Sequence, residues 1–174
     1  ASGEAAVANP NAFVDSIPDE AKTYAEIILQ VAGETGVDPF LIAAVGQRES
    51  RWGLALDANM TGDAGHGHGI MQIDDRTWAS WIASNDWTDP YTNVKKGAEI
   101  LASNLSYFEG KGLTGNDLIA AAAAGYNHGP GAVWRNVSAT GNPDDGPGGP
   151  TAHGDYGRSV LASSSSYAVG FEVA

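Results

Sequence analysis

The sequence predicts a mainly helical fold in a single globular domain. Apolar residues recur three and four positions apart in several segments, which is the period of a helix with one buried face. No two segments show the strict alternation of apolar and polar residues that predicts neighbouring strands. The length of 174 residues suits one domain with a sizeable hydrophobic core.

The N-terminal region predicts an arm followed by a helix. Residues 1–15 are rich in Ala, Asn and Ser and have no helical period, so we expect a loosely held N-terminal arm before a domain over residues 16–174. Ser16–Gly33 begins with residues close to a capping box and continues with apolar residues at helical spacing. This segment therefore predicts an amphipathic helix.

A second helix is predicted to lead into a long glycine-rich segment. Asp38 and Pro39 supply the cap and the first residue of this helix, and Glu49 lies near its far end. Residues 53–75 are rich in glycine and have no helical period, and irregular stretches of that length in a compact domain are usually functional. We expect a short extended piece, or a small β element, near residues 69–74.

The remainder of the chain predicts five further helices and one loop. The helices are predicted over about residues 75–84, from about residue 93, from residue 117, from residue 129, and over about residues 155–167, with a loop over residues 141–154. The helix that begins near residue 117 contains five consecutive alanines, Ala120–Ala124. A small, uncharged helix of this kind is expected at the centre of a helical bundle.

Composition and charge exclude several classes of partner. Nine Lys and Arg residues against 21 Asp and Glu residues give a formal net charge of -12. This charge argues against nucleic acid, because phosphate contacts need a basic face. No apolar run approaches the roughly 20 residues of a membrane span, so we expect no membrane insertion. The absence of cysteine excludes disulfide and thiol chemistry.

Three acidic residues are candidates for a hydrolytic site. Glu49 lies at the end of an apolar helix, where desolvation favours a protonated acid that can protonate a leaving-group oxygen. Asp63 and Asp74 lie in or beside the glycine-rich segment, and inverting glycoside hydrolysis needs a second, ionised carboxylate to activate water. The same pattern also fits a surface glutamate and two aspartates in turns.

Histidines in the glycine-rich segment are possible metal ligands. His66 and His68, with Asp63 and Asp74, are residue types that bind zinc, but no established ligand spacing is present. The segment from Asp57 matches the first half of a calcium-binding loop, yet its twelfth position is His68 rather than Glu. We therefore predict no metal and no other cofactor.

Four short motifs, in the right order, resemble those of goose-type lysozymes. Gly62–Asp74 resembles the family's Gly-Asp pair followed by a glycine-rich turn and Gly-hydrophobic-Met-Gln-hydrophobic-Asp. Arg48–Ser50 is similar to its Arg-Glu-Ser. Ala124–Gly129 resembles an Ala-Tyr-Asn-Ala-Gly motif shared with lytic transglycosylases, and Asp155–Tyr156 is similar to an Asp-Tyr pair that opens the last helix. The resemblance covers about residues 20–168.

The resemblance implies a lysozyme-like fold and a secreted, monomeric muramidase. The implied substrate is the β-1,4-linked N-acetylmuramic acid and N-acetylglucosamine strand of peptidoglycan, cleaved with inversion. Glu49 would be the general acid, and Asp74 and Asp63 would position the attacking water. Further substrate-binding positions are expected at His66, His68, Gln72, Tyr126, Asn127 and Tyr156.

Departures from the family pattern leave other activities open. Gly125 and His128 each replace an alanine around the Tyr-Asn pair, and His66 and His68 replace an amide and an aromatic residue. Lytic transglycosylases keep the acid but lack the paired aspartates, so the two aspartates favour hydrolysis. A lytic transglycosylase, a chitinase of the same fold and a non-catalytic wall-binding module are the alternatives.

Overall fold

Ten α-helices and a small sheet form most of residues 2–174, the part of the chain that the computed structural model describes. The helices are α1 (Ser2–Ala8), α2 (Pro10–Ser16), α3 (Asp19–Lys22), α4 (Ala25–Thr35), α5 (Pro39–Ser50), α6 (Asp75–Ser84), α7 (Pro90–Gly110), α8 (Gly115–His128), α9 (Pro130–Thr140) and α10 (Tyr156–Glu172). The mainly helical prediction is confirmed. Over these residues, no helix is both long and apolar enough to cross a membrane.

The sheet lies inside the glycine-rich segment and has three strands of two residues each. These are β1 (Thr61–Gly62), β2 (Gly67–His68) and β3 (Ile73–Asp74), paired antiparallel in the order β1-β2-β3. Gly62 lies opposite Gly67, and Gly67 in turn lies opposite Asp74. The predicted small β element is therefore present, although it begins earlier than the predicted extended piece.

The residue contacts divide the chain into two compact units. The first contains the chain up to Glu99 together with Ser166–Ala174, and the second contains Ile100–Ser165. The candidate residues from Glu49 to Asp74 belong to the first unit. The Tyr-Asn and Asp-Tyr motifs belong to the second.

The N-terminal segment differs from the predicted arm. Residues 2–8 and 10–16 form α1 and α2, in which Ala6 and Phe13 are fully buried. The Phe13 ring packs against Phe40 with ring centroids 5.3 Å apart. The sequence gives little sign of this, because two buried residues in two short helices are too few to establish a period.

The predicted helix over residues 16–33 is divided in the structure. It forms α3 and α4, which are separated at Thr23 and Tyr24. The Tyr24 ring stacks on the ring of Trp52, with centroids 5.5 Å apart. The apolar spacing predicted the buried face of α4 correctly. It did not predict the break between α3 and α4, where Tyr24 contacts Trp52, because local spacing does not reveal tertiary contacts.

The core of the second unit is built around the alanine-rich part of α8. Ala120–Gly125 are all buried, as the sequence predicted for a helix of small residues. A side chain at Gly157 would collide with the Ala120 carbonyl, so α10 packs directly on α8. Helix α8 begins at Gly115, two residues before the predicted start at residue 117. Helix α10 continues past the predicted end to Glu172.

Candidate active site

Glu49 lies in the last turn of the most buried helix of the first unit. Asp38 and Pro39 begin α5 as predicted, and the Asp38 carboxylate accepts a hydrogen bond from the Phe40 N–H at 2.8 Å. The helix ends where Arg51 adopts a left-handed conformation with a φ of 50°. Glu49 itself is half-buried.

Ser50 connects the turn that carries Glu49 to the glycine-rich segment. Its buried hydroxyl donates to the Ile70 carbonyl at 2.7 Å and accepts from the Gly53 N–H at 2.9 Å. Trp52 follows and donates from its indole nitrogen to the Ala43 carbonyl at 3.0 Å. These buried contacts fix the end of α5 relative to the sheet, which explains why a serine follows the glutamate.

The sheet surface is shaped by two glycines and one glutamine. A Cβ atom at Gly62 or Gly67 would lie within 2.5 Å of the Gln72 side-chain oxygen, so any larger residue would displace the amide. Gln72 also donates from its side chain to the Gly69 carbonyl at 2.9 Å. The predicted substrate-binding Gln72 therefore lies over the glycine pair and has a defined orientation.

Asn93 on α7 fixes the same segment from the other side, and sequence reasoning missed it. Its side-chain oxygen accepts from the Met71 N–H at 2.7 Å. Its amide nitrogen donates to the carbonyl groups of His68 and Trp87 at 2.9 and 3.0 Å. Asn93 is 1% exposed, and the available sequence signal was only a polar residue in an otherwise apolar helix face.

The two predicted aspartates are brought together by Arg76. The terminal guanidinium nitrogen Nη2 of Arg76 lies 2.5 Å from Oδ2 of Asp63 and 2.5 Å from Oδ2 of Asp74. The Arg76 Nε atom and backbone N–H also donate to Oδ1 of Asp74, at 3.0 and 2.8 Å. Asp74 thus caps α6 while its carboxylate faces the guanidinium.

The electrostatics of this cluster favour the ionised form of Asp74. Hydrogen bonds from Arg76 lower the pKa of Asp74 below its usual range, and the two aspartates raise the pKa of Arg76. The side chains of Asp63, Asp74 and Arg76 remain 62%, 35% and 55% exposed. Solvent therefore screens their attraction, and the carboxylates stay accessible to water.

Backbone strain accompanies the cluster. Asp63, Ala64 and Gln72 have φ values of 49°, 55° and 52°, in the left-handed region that residues other than glycine seldom adopt. Such conformations cost about 1–3 kcal/mol each and persist where surrounding contacts enforce them. Here the enforcing contacts are the short strand pairings, Arg76 and the Gln72 amide.

The two predicted histidines have protein partners. His66 Nδ1 lies 2.8 Å from the Asp75 carboxylate, and His68 Nδ1 lies 3.0 Å from the His66 carbonyl. Because a carbonyl only accepts, His68 carries its proton on Nδ1. The His68 ring packs edge-on against Trp87, at 4.7 Å between centroids. Over residues 2–174, no group of three or more His, Cys, Asp or Glu side chains is arranged to hold a metal ion.

The partial calcium-loop match is a local turn. The Asp57 carboxylate accepts hydrogen bonds from the Asn59 and Thr61 N–H groups at 2.9 and 3.0 Å, and from the Thr61 hydroxyl at 2.8 Å. The Thr61 bonds are the main reason that the pKa of Asp57 is lowered. Asp57 thus stabilises the entry to β1.

The remaining predicted residues lie in the second unit. Tyr126 is half-buried, and the exposed Asn127 accepts a hydrogen bond from the Ala152 N–H at 2.8 Å. Tyr156 begins α10 and is only 2% exposed. Asn127 therefore contacts the loop before α10, and the substrate-binding roles of Tyr126, Asn127 and Tyr156 stay predictions.

That loop is organised by two buried residues that the sequence did not single out. Asp144 is fully buried and accepts hydrogen bonds from the Thr151 hydroxyl, the Gly157 N–H and the Arg158 guanidinium at 2.9, 2.7 and 3.0 Å. Asn136 binds three backbone groups of the same loop. Asp144 lies inside a glycine- and proline-rich segment, which gives no local sign of burial, and Asn136 lies on α9 just before that segment.

Comparison with known proteins identifies the family. A family model described as the transglycosylase SLT domain matches residues 26–146. The chain belongs to this family, within the lysozyme-like superfamily. The match includes Glu49, Asp63, Asp74 and the Tyr-Asn pair, and it ends before Tyr156.

Curated relatives of this SLT domain are goose-type lysozymes. Lysozyme g of Struthio camelus is 34% identical over 146 residues, which cover 83% of this chain and 65% of that protein. Lysozyme G of Dromaius novaehollandiae is 33% identical over 146 residues, with the same coverage. Lysozyme g of Epinephelus coioides is 32% identical over 147 residues, covering 80% of this chain and 71% of that protein. The chain spans about 65% of the length of the first two relatives.

Proposed function

We propose that the chain is a glycan-cleaving enzyme that hydrolyses the β-1,4 bond between N-acetylmuramic acid and N-acetylglucosamine in peptidoglycan, with inversion. Membership of the SLT family and similarity to goose-type lysozymes support the class of reaction. The observation that carries the choice of hydrolysis is the cluster of Asp63, Asp74 and Arg76. A pair of ionised, water-accessible carboxylates suits activation of water.

In the proposed reaction, Glu49 acts as the general acid. Its carboxyl group donates a proton to the glycosidic oxygen as the bond from that oxygen to the sugar C1 breaks. Water attacks C1 from the opposite face and gives its proton to Asp74, with Asp63 helping to orient it. Arg76 favours the ionised form of Asp74, which suits a base that accepts the proton of water.

A lytic transglycosylase is the second candidate, because the matching family model is described as a transglycosylase domain. In that reaction the 6-hydroxyl of the substrate replaces water as the nucleophile, and the aspartates have no role. Mass spectrometry of digested peptidoglycan separates the two reactions. We expect products with reducing ends, whereas 1,6-anhydro ends would refute hydrolysis. Release of soluble fragments from chitin but not from cell walls would instead identify a chitinase.

The role of Glu49 is tested with Glu49→Gln, which keeps the size of the side chain and removes the acid. We expect loss of wall-clearing activity by at least about 10²-fold with an unchanged melting temperature. Glu26→Gln, which alters an exposed glutamate on α4, is the matched control and should retain full activity. Near-normal turnover by Glu49→Gln would exclude Glu49 as the general acid. Binding to cell walls without any turnover by the wild type would instead identify a non-catalytic wall-binding module.

We also propose that the enzyme is secreted and acts as a monomer on peptidoglycan strands outside the cell that makes it. Its substrate lies there, and the similarity to goose-type lysozymes agrees with that location. Sedimentation measurements on the full chain, together with detection of the protein in culture medium, test both statements.

A further inference from the structure

We infer that Arg76 is a positioning residue that fixes the carboxylates of Asp63 and Asp74 relative to each other, so that they act on one water molecule. The catalytic consequence rests on the proposed hydrolysis, while the contact between Arg76 and Asp74 can be measured without any activity. Arg76 was not a candidate in the sequence, where it is one more charged residue after Asp74.

The sheet explains why a linking residue is needed. Asp63 directly follows β1, and Asp74 ends β3, with β2 between these two strands. Adjacent strands lie about 4.8 Å apart, so the backbones of the outer strands are separated by roughly twice that distance. The central strand contributes Gly67 at this level, which has no side chain to fill the gap.

Arg76 spans this gap from the first turn of α6. One guanidinium nitrogen contacts both Oδ2 atoms, while Nε and the backbone N–H hold the other oxygen of Asp74. Both carboxylates therefore have a common donor, and the orientation of each depends on the other. The left-handed turn at Asp63 and Ala64 directs the Asp63 side chain toward this donor.

The planar fork of arginine suits this arrangement better than lysine. A guanidinium group presents several donors at fixed angles, whereas an ammonium group is a compact point charge on a flexible stem. Lysine at position 76 would supply the charge without the fixed geometry. This difference separates a positioning role from a purely electrostatic one.

The charged groups around Asp74 define the expected pH behaviour. Arg76 and Asp63 belong to the cluster, and His66 on the neighbouring turn is paired with Asp75 at the start of α6. Arg76 provides the largest contribution that lowers the pKa of Asp74, and His66 a smaller one. Removal of Arg76 would also leave two carboxylates facing each other without a cation between them, which favours protonation of one of them.

The experiment compares Arg76→Gln and Arg76→Lys with wild type in the full chain. NMR titration of the aspartate side-chain carboxyl carbons follows Asp74 directly, and kcat and KM are measured on soluble glycan fragments of peptidoglycan across pH. In Arg76→Gln we expect the Asp74 midpoint to rise by about one pH unit. We expect the acidic limb of kcat/KM to rise with it, and kcat to fall about tenfold with KM changed less than about twofold. Arg76→Lys should restore the midpoint but only part of kcat.

Arg135→Gln is the control, because it removes one positive charge from an exposed position on α9. It should leave both the titration and the kinetics unchanged, and circular dichroism checks that each variant is folded. An unmoved Asp74 midpoint in Arg76→Gln would overturn the inference, and so would a moved midpoint with unchanged kcat. If wild type shows no hydrolysis, the proposed function fails, and the titration then tests only the contact between Arg76 and Asp74. An unmoved Asp74 midpoint would still overturn the inference.

Discussion

The glycine-rich segment around the sheet and the loop over residues 141–155 are both rich in glycine, yet they use their acidic residues in opposite ways. Each is fixed by one buried asparagine that binds three backbone groups, Asn93 in the first and Asn136 in the second. In the first segment, Asp63 is exposed and Asp74 is partly exposed beside Arg76. In the second, Asp144 is fully buried, and Arg158 and backbone N–H groups use its oxygens.

This difference separates acids that can act on a substrate from acids that only stabilise structure. A carboxylate whose oxygens are buried and hydrogen-bonded cannot contact a water molecule that attacks a sugar. An exposed carboxylate at a strained turn contributes little to stability but can bind and activate water. The comparison therefore predicts that replacing Asp63 or Asp74 lowers activity but not stability. Replacing Asp144 should lower stability but not activity.

The largest expected effect is the loss of activity in Asp74→Asn. Asparagine caps a helix as well as aspartate does, so α6 should remain intact while the water loses its base. We expect kcat to fall about 10³-fold, which corresponds to about 4 kcal/mol in the activation free energy, with the melting temperature changed by less than about 2 °C. In Asp63→Asn we expect a smaller fall in kcat, about tenfold. A melting temperature that falls together with kcat in Asp74→Asn would contradict the comparison.

The next effect is a loss of stability in Asp144→Asn. This change removes the charge that Arg158 and two backbone N–H groups of α10 contact, and it places an amide donor where those groups require an acceptor. We expect the free energy of unfolding in urea to fall by about 3 kcal/mol. Activity per folded molecule at low temperature should remain close to wild type. Asp145→Asn changes the exposed neighbour and should leave the urea midpoint unmoved.

The two asparagines allow a matched test of whether the segments are held separately. Asn93→Ala and Asn136→Ala each remove three hydrogen bonds to backbone, and we expect each to cost about 2 kcal/mol of unfolding free energy. Hydrogen exchange should accelerate at the Met71 amide in the first variant and at the Gly148 amide in the second. Asn85→Ala, which removes a single exposed bond to the Trp81 carbonyl, is the control. Accelerated exchange at both amides in either variant would show that the segments unfold together.

The smallest expected effect is that of salt. With a formal net charge of -12, the enzyme should be repelled by the anionic polymers common in bacterial walls, and ions screen that repulsion. We expect wall clearing to rise about twofold from dilute buffer to about 0.1 M salt. Salt should weaken the exposed Arg76 ion pairs more than the contacts of the buried Asp144. Activity that is highest in dilute buffer and declines steadily with salt would contradict this prediction.

The sequence by itself determined the helical class, the main helices and the family. Asp38 and Pro39 begin α5, and the alanines of α8 are buried, because caps and apolar spacing act over a few neighbouring residues. The ordered motifs identified a resemblance that the family model and the curated relatives confirm. Glu49, Asp63 and Asp74 were singled out in the same way, and their catalytic roles remain proposals.

Only the tertiary structure decided which polar residues meet. Arg76 joins two aspartates that lie eleven positions apart, Asn93 binds a segment more than twenty residues before it, and Asp144 is buried although its neighbours are turn residues. Local sequence cannot reveal such contacts, because each depends on the path of the backbone between the partners. The predicted arm forms helices α1 and α2 in the structure. The sequence did not predict them, because the burial of Phe13 against Phe40 is a contact between distant residues.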